Sequence, residues 1–336
     1  MADGWSPLCR LSAPMRVAWP AMLAVIVMLG GAGCGGGAKA GPGTRSAGGV
    51  AQLRVVATTV LSARMRDLTV ASPALGATVK VRLLLPVHYA ARPGARWPVL
   101  YLLHGCCDTY RSWTRSTDVA ALTARSDVLV VMPDGGRAGF YSDWLTGPRW
   151  ETFHLAELRQ ILQRDYRAST VMAVAGASMG GLGALAYAAR HRGLFRAAAS
   201  FSGIADTRLS PQESMRYVDL VRSQGDDPSH LWGDPRRDAA VWAAHNPYDL
   251  APQLRGTQLF IAVGTGQPGP LDPAGTPAST IESSLAAENA ALARRLRALK
   301  IPAQLDFYGP GTHSWPYWQR DLHHAWPLLQ HALGTR

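Results

Sequence analysis

A chain of 336 residues, 47% hydrophobic and 17% charged, is long enough for one large domain and too apolar to be disordered. Its formal charge of +11 rests on arginine, since only Lys39, Lys80 and Lys300 among the 34 basic residues are lysines. The arginines are scattered along the chain, with no basic helix, RNA motif or zinc-ligand spacing, which argues against a nucleic-acid partner. A mildly basic surface accounts for the charge, with attraction to an anionic cell envelope as the alternative.

Residues 1–34 read as a targeting signal of lipoprotein type. Arg10 and Arg16 form a positive n-region. An apolar h-region runs from 17 to 29, interrupted by Pro20 and short for a membrane span. Gly30-Gly31-Ala32-Gly33-Cys34 follows, and Cys34 is the expected lipidated residue, although Gly31 stands where such signals usually carry Leu. Ordinary signal cleavage and an uncleaved anchor are the alternatives. Residues 35–52 then form a Gly-rich flexible tether, and 53–336 a single domain. Of the four cysteines, Cys9 and Cys34 fall in the signal. The adjacent pair Cys106-Cys107 is expected as two free thiols, because a bridge between neighbours is strained.

Within the domain, apolar and polar residues alternate at 65–70 and 78–85, the period of two antiparallel edge strands joined by a turn at 73–76. Continuous apolar runs follow at 98–103, 128–132, 171–175, 197–201 and 259–263, with a weaker one at 305–308. Helical patterns occupy 118–125, 151–165, 181–190, 279–300 and 315–333. Continuous apolar strands alternating with helices imply an α/β fold, a mostly parallel sheet covered on both faces. Residues 206–256 lack clean periodicity and read as a lid-like excursion over the sheet.

The run 171–175 leads into Gly176-Ala177-Ser178-Met179-Gly180, a G-x-S-x-G pattern between a strand and a helix. That context is the nucleophile elbow of an α/β-hydrolase fold, with Ser178 on a strained turn and its hydroxyl above the sheet edge. The other parts of such a site belong at strand ends. His104-Gly105-Cys106-Cys107 follows the run at 98–103 and supplies an oxyanion donor, the amide of Cys106 or, as second choice, Cys107. The amide of Met179 is the other donor. His313, in the Gly-rich stretch 309–315 that leads into the last helix, is the expected base. The acid must lie between Ser178 and His313, and position alone favours Asp272 over Glu282 and Glu288.

Several longer stretches then form a recognisable series. Val131-Met132-Pro133-Asp134-Gly135-Gly136 with Phe140-Tyr141-Ser142-Asp143-Trp144, then Trp150-Glu151-Thr152-Phe153, then Leu231-Trp232-Gly233, Trp242 and Asn246-Pro247, and finally Gly311-Thr312-His313-Ser314-Trp315-Pro316-Tyr317-Trp318 stand in one order. In this the chain resembles the esterase D branch of α/β-hydrolases and, within it, the secreted mycolyltransferases of the fibronectin-binding antigen complex, over about residues 65–330. The resemblance moves the acid. In those transferases a glutamate opens the helix after the seventh strand and an asparagine lies seven residues on, the spacing of Glu282 and Asn289. Glu282 therefore becomes the favoured acid and Asp272 the alternative. The resemblance also has departures. Where the transferases carry Asp-Gly-Leu-Arg, this chain has His104-Gly105-Cys106-Cys107, which puts sugar-acceptor binding in question, and Gly180 replaces their usual Ala.

The expectation is an exported serine carboxylic-ester hydrolase working through Ser178, His313 and Glu282, without metal or cofactor. Its substrate would be a small-molecule, lipid or sugar ester, and His104 and Trp315 would contact it. A monomer held at the membrane by a lipid on Cys34 is the expected form. Acyl transfer to a sugar or lipid alcohol is one alternative, and a non-catalytic envelope protein is another.

Overall fold

The computed structural model describes residues 52–335, so the signal, most of the tether and Cys34 lie outside the described residues. The strands are β1 (Arg54–Val60), β2 (Met65–Ser72), β3 (Ala77–Leu84), β4 (Trp97–Leu103), β5 (Leu129–Pro133), β6 (Ala168–Ala177), β7 (Ala197–Phe201), β8 (Gln258–Val263) and β9 (Gln304–Phe307). They form one sheet in the order β1-β2-β3-β5-β4-β6-β7-β8-β9. The pairs from β1 to β3 and β3 with β5 are antiparallel, and all others are parallel. The amino end departs from the reading by periodicity. The alternating strands are β2 and β3, but β1 pairs outside them and is the true edge. Nearly all of β1 is exposed, so no one-sided burial imposes an apolar period of two on it.

Helices α1 (Ser112–Ser116) and α2 (Val119–Leu122) join β4 to β5. Helix α3 (Trp150–Thr152), a π-helical segment Phe153–Leu158 and α4 (Arg159–Asp165) lead into β6, and α5 (Met179–Arg190) leaves it. Between β7 and β8 the chain makes α6 (Pro211–Ser223), α7 (Pro228–Trp232), α8 (Ala239–His245), α9 (Pro247–Leu250) and a 3-10 turn, Ala251–Leu254. These short helices fill the stretch that had no periodicity. Helix α10 (Thr280–Ala298) precedes β9, and α11 (Trp315–Leu333) ends the described domain.

Alternate residues of β4 explain the continuous apolar runs. Val99, Tyr101 and Leu103 enter one core with Leu182 and Leu185 of α5. Leu100 and Leu102 enter the other with Leu322, Trp326 and Leu329 of α11. Both faces of the central strands are covered, so both sets must be apolar. The order also creates a crevice. From β4 the chain crosses to β5 on one side, and from β6 it proceeds to β7 on the other, so the loops leaving β4 and β6 diverge. Such a switch point is where open α/β sheets bind ligands.

Candidate active site

Ser178 occupies the turn between β6 and α5 with φ 56° and ψ −120°, a conformation that non-glycine residues rarely hold. Its neighbours hold it there: the Ser178 amide donates to Phe201 O at 2.9 Å, and Gly181 and Ile204 amides donate to Ser178 O at 2.9 and 3.2 Å. The two glycines of the motif have steric reasons. A Cβ on Gly176 would collide with the carbonyl of Gly180, and a Cβ on Gly180 with the carbonyl of Leu103.

His313 reaches the same point from the β9–α11 loop. Its Nε2 lies 2.9 Å from Ser178 Oγ and its Nδ1 2.7 Å from Glu282 Oε2. An ionised carboxylate only accepts, so Nδ1 carries the proton and Nε2 is left to accept from the serine hydroxyl. Glu282 is fully buried. Its other oxygen, Oε1, accepts from Ser202 Oγ at 2.7 Å and from the Gly264 amide at 2.8 Å. Three donors on one buried carboxylate satisfy it and fix its orientation. The local sequence explains how the acid arrives. Ser279 caps α10 by accepting from the Glu282 amide at 3.2 Å. In an ordinary capping box the glutamate side chain turns back to the cap, whereas here it turns to His313.

Ser202, one of the donors to Glu282, is a member of the site that sequence reading misses. It stands just past β7 at the same sheet edge, with φ 44° and its amide donating to Ala262 O at 2.7 Å. The available signal is Ser-Gly directly after an apolar strand. Asp272, the alternative acid, lies elsewhere. Its carboxylate accepts from Thr312 Oγ1, from Tyr317 Oη at 3.0 Å and from the Gly269 amide at 2.8 Å. Glu288, the third candidate, is fully buried further along α10 and accepts from the Ala205 and Asp206 amides at 2.9 and 3.1 Å and from Tyr217 Oη. Burial is the main cause that pushes its carboxyl up to about 8, against these three donors. Asn289 donates to Gly203 O at 2.8 Å, which ties α10 to the loop carrying Ser202.

The loop after β4 packs against the serine, where a Cβ on Gly105 would come 3.2 Å from Ser178 Cβ. The Cys107 amide donates to Arg137 O at 2.7 Å, so it is occupied. Among the described residues the amides of Cys106 and of Met179, the first residue of α5, have no such partner. Two expectations need correction here. Cys106 and Cys107 are not free thiols, because their sulfurs are bonded to each other. Cys107 itself has a left-handed φ of 66°. His104, expected to touch substrate, is buried with both nitrogens engaged. Nδ1 lies 2.7 Å from Gly105 O, and Nε2 accepts from the Gly135 amide at 2.9 Å. It braces the loop from beneath, and Tyr141 Oη donates to its carbonyl at 2.8 Å. Trp315 is half-buried, edge-on to Trp113 and Trp318 with centroids at 5.2 and 4.9 Å. Among the described residues no group of His, Cys, Asp or Glu is arranged to hold a metal ion, and no helix is long and apolar enough to cross a membrane.

The model of a family described as "Putative esterase" matches residues 72–329. The chain is 32% identical over 283 residues to the diacylglycerol acyltransferase/mycolyltransferase Ag85A of Mycobacterium ulcerans, covering 80% of this chain and 81% of that protein. It is 35% identical over 250 residues to the esterase Rv1288 of Mycobacterium tuberculosis, covering 71% of this chain but only 53% of that one. The crystal structure of Mycobacterium tuberculosis MPT51 superposes with a TM-score of 0.69 at 25% identity, over 81% of this chain and all of the other.

Proposed function

The chain belongs to this esterase family, and on that premise we propose that it is an exported serine hydrolase of carboxylic esters. The observation that carries the reading is the relay Ser178 Oγ···His313 Nε2 at 2.9 Å and His313 Nδ1···Glu282 Oε2 at 2.7 Å, with a serine held at positive φ. Ser178 attacks the ester carbonyl as His313 takes its proton. The carbonyl oxygen becomes an oxyanion beneath the amides of Cys106 and Met179. His313 then protonates the departing alcohol, leaving an acyl-serine. Water, activated by the same Nε2, attacks the acyl group and restores Ser178. Glu282 keeps the proton on Nδ1 throughout and stabilises the imidazolium between steps. Lipidation at Cys34 would place this domain at a membrane surface.

One observation favours a second reading, acyl transfer to a sugar or lipid alcohol. The similarity to Ag85A spans four-fifths of the chain, and an acyl-serine is an intermediate common to both reactions. Against it stands His104-Gly105-Cys106-Cys107, where those transferases carry charged residues.

The assay is hydrolysis of p-nitrophenyl butyrate. Ser178→Ala should lower kcat by at least about 10⁴-fold and abolish labelling by a fluorophosphonate. Retained activity in that variant would sink the assignment. Product analysis with a lipid ester and trehalose separates the two readings: free acid alone supports hydrolysis, and an acylated sugar supports transfer.

A further inference from the structure

Asp272 makes no hydrogen bond to the His313 ring, yet its bonds enclose the base in the chain. Thr312, whose Oγ1 donates to Asp272 Oδ1, immediately precedes His313. Tyr317, whose Oη donates to Oδ2 at 3.0 Å, lies on the first turn of α11, four residues past it. Both partners are buried, at 5% and 1% exposure, so their hydroxyls have no ready access to water as a substitute acceptor. The loop that carries Asp272 is itself tied down. The Gly269 amide donates to Oδ2 at 2.8 Å, and the Leu271 amide donates to Tyr317 Oη at 3.2 Å. Three backbone bonds then lace this loop to the one before His313: Thr265 N to Gly309 O at 2.8 Å, Gly266 N to Gly311 O at 3.0 Å and Gly311 N to Gln267 O at 2.6 Å. Backbone bonds fix the path of the two loops but stop at Gly311. The approach of residue 313 to Ser178 depends on what holds Thr312 and Tyr317.

We propose that Asp272 is a positioning residue for the reaction, clamping Thr312 and Tyr317 so that His313 Nε2 is held at bonding distance from Ser178. This rests on the hydrolase reading of Ser178 and His313. The state of the Asp272 carboxyl suits a clamp. Burial alone would raise it, but the hydrogen bonds from Thr312, Gly269 and Tyr317 hold it below the usual carboxylate range. It is therefore an ionised acceptor at neutral pH, and two donors sharing one charged carboxylate make a stiffer clamp than neutral bonds would. A base displaced by a fraction of an ångström loses in-line proton transfer while the substrate-binding surface is untouched.

The test uses the full-length chain, p-nitrophenyl butyrate and end-point titration of active sites with a fluorophosphonate, so that rates refer to folded, competent sites. Asp272→Asn and Thr312→Val should each lower kcat per titrated site about tenfold or more. KM should stay within about twofold, and Thr312→Ser, which restores the hydroxyl, should recover most of the rate. A wild-type rate per titrated site in Asp272→Asn and Thr312→Val overturns the proposal, even where the number of competent sites falls, since that pattern is a purely structural role. Failure of Thr312→Ser to recover the rate also overturns it. Ser178→Ala in the same assay separates the two levels. If it is inactive while Asp272→Asn is normal, only the clamp fails; if it is active, the hydrolase reading fails and the clamp with it.

Discussion

Helix α10 carries two fully buried glutamates, and they have opposite surroundings. Glu282, on the first turn, meets a histidine that can take up positive charge, a serine hydroxyl and one amide. Glu288, further along the helix, meets two amides and a tyrosine hydroxyl, all uncharged donors, and its carboxyl rises to about 8. Both are satisfied by hydrogen bonds, so satisfaction is not what separates them. The difference is the partner. A buried carboxylate beside an imidazole can share charge through a proton relay, whereas one beside tyrosine and backbone bears the desolvation cost with no charge to offset it. The same helix thus supplies the candidate acid on its first turn and, near its middle, a joint to the segment after β7 and to α6.

Substitutions at the two glutamates should behave accordingly. The largest effect is expected of Glu282→Gln, which keeps the shape but presents an amide to His313 and favours the wrong tautomer. Its kcat should fall by about 10³–10⁴-fold, measured on p-nitrophenyl butyrate, and a loss below tenfold would remove Glu282 from the relay. Ser202→Ala takes away one of the three donors that orient that carboxylate. A decrease in kcat of about tenfold is expected, the scale of one hydrogen bond to a charged group, with fluorophosphonate labelling slowed in parallel. Asp272→Asn belongs beside it in size, acting through the loop instead of the acid.

Glu288→Gln should be the mildest in activity, within about twofold at pH 7, and its effect should appear in stability. The folded carboxyl lies at about 8 and the unfolded near 4.5, so the native state binds more protons between those values. Stability is then fully retained below about pH 4.5 and declines as pH rises toward 8, by a few kcal/mol at most. Glutamine mimics the protonated acid, donating to Tyr217 and accepting from the amides. The variant should therefore lose less Tm than the parent between pH 5 and 9 in thermal melts. Identical slopes would mean that Glu288 is ionised at no great cost.

Much of the architecture is legible from periodicity because its causes are local. Apolar runs mark the central strands, since strands covered on both faces have nowhere to put a polar residue. The glycines at 176 and 180 mark the elbow because any larger residue would strike the backbone of Gly180 or Leu103. The edge strand β1 escapes notice for the converse reason: exposed on nearly every residue, it obeys no burial pattern. The places of His104 and of the Cys106–Cys107 pair are hidden from the sequence, because burial of a side chain and the meeting of two sulfurs depend on a loop's path.

The fold class, the serine between its two glycines and the late histidine are each marked in the chain by a local steric or periodic requirement. Which acid meets that histidine could not be decided by position. Asp272 and Glu282 both follow β8 within one connection, and only the helical turn at Ser279 together with the folding of the 264–272 loop sends one carboxylate to the ring and the other to Thr312 and Tyr317. Hydrogen-bond partners separated by 31 and 135 residues in sequence are chosen by the packing of sheet, loop and helix, and that choice exists only in three dimensions.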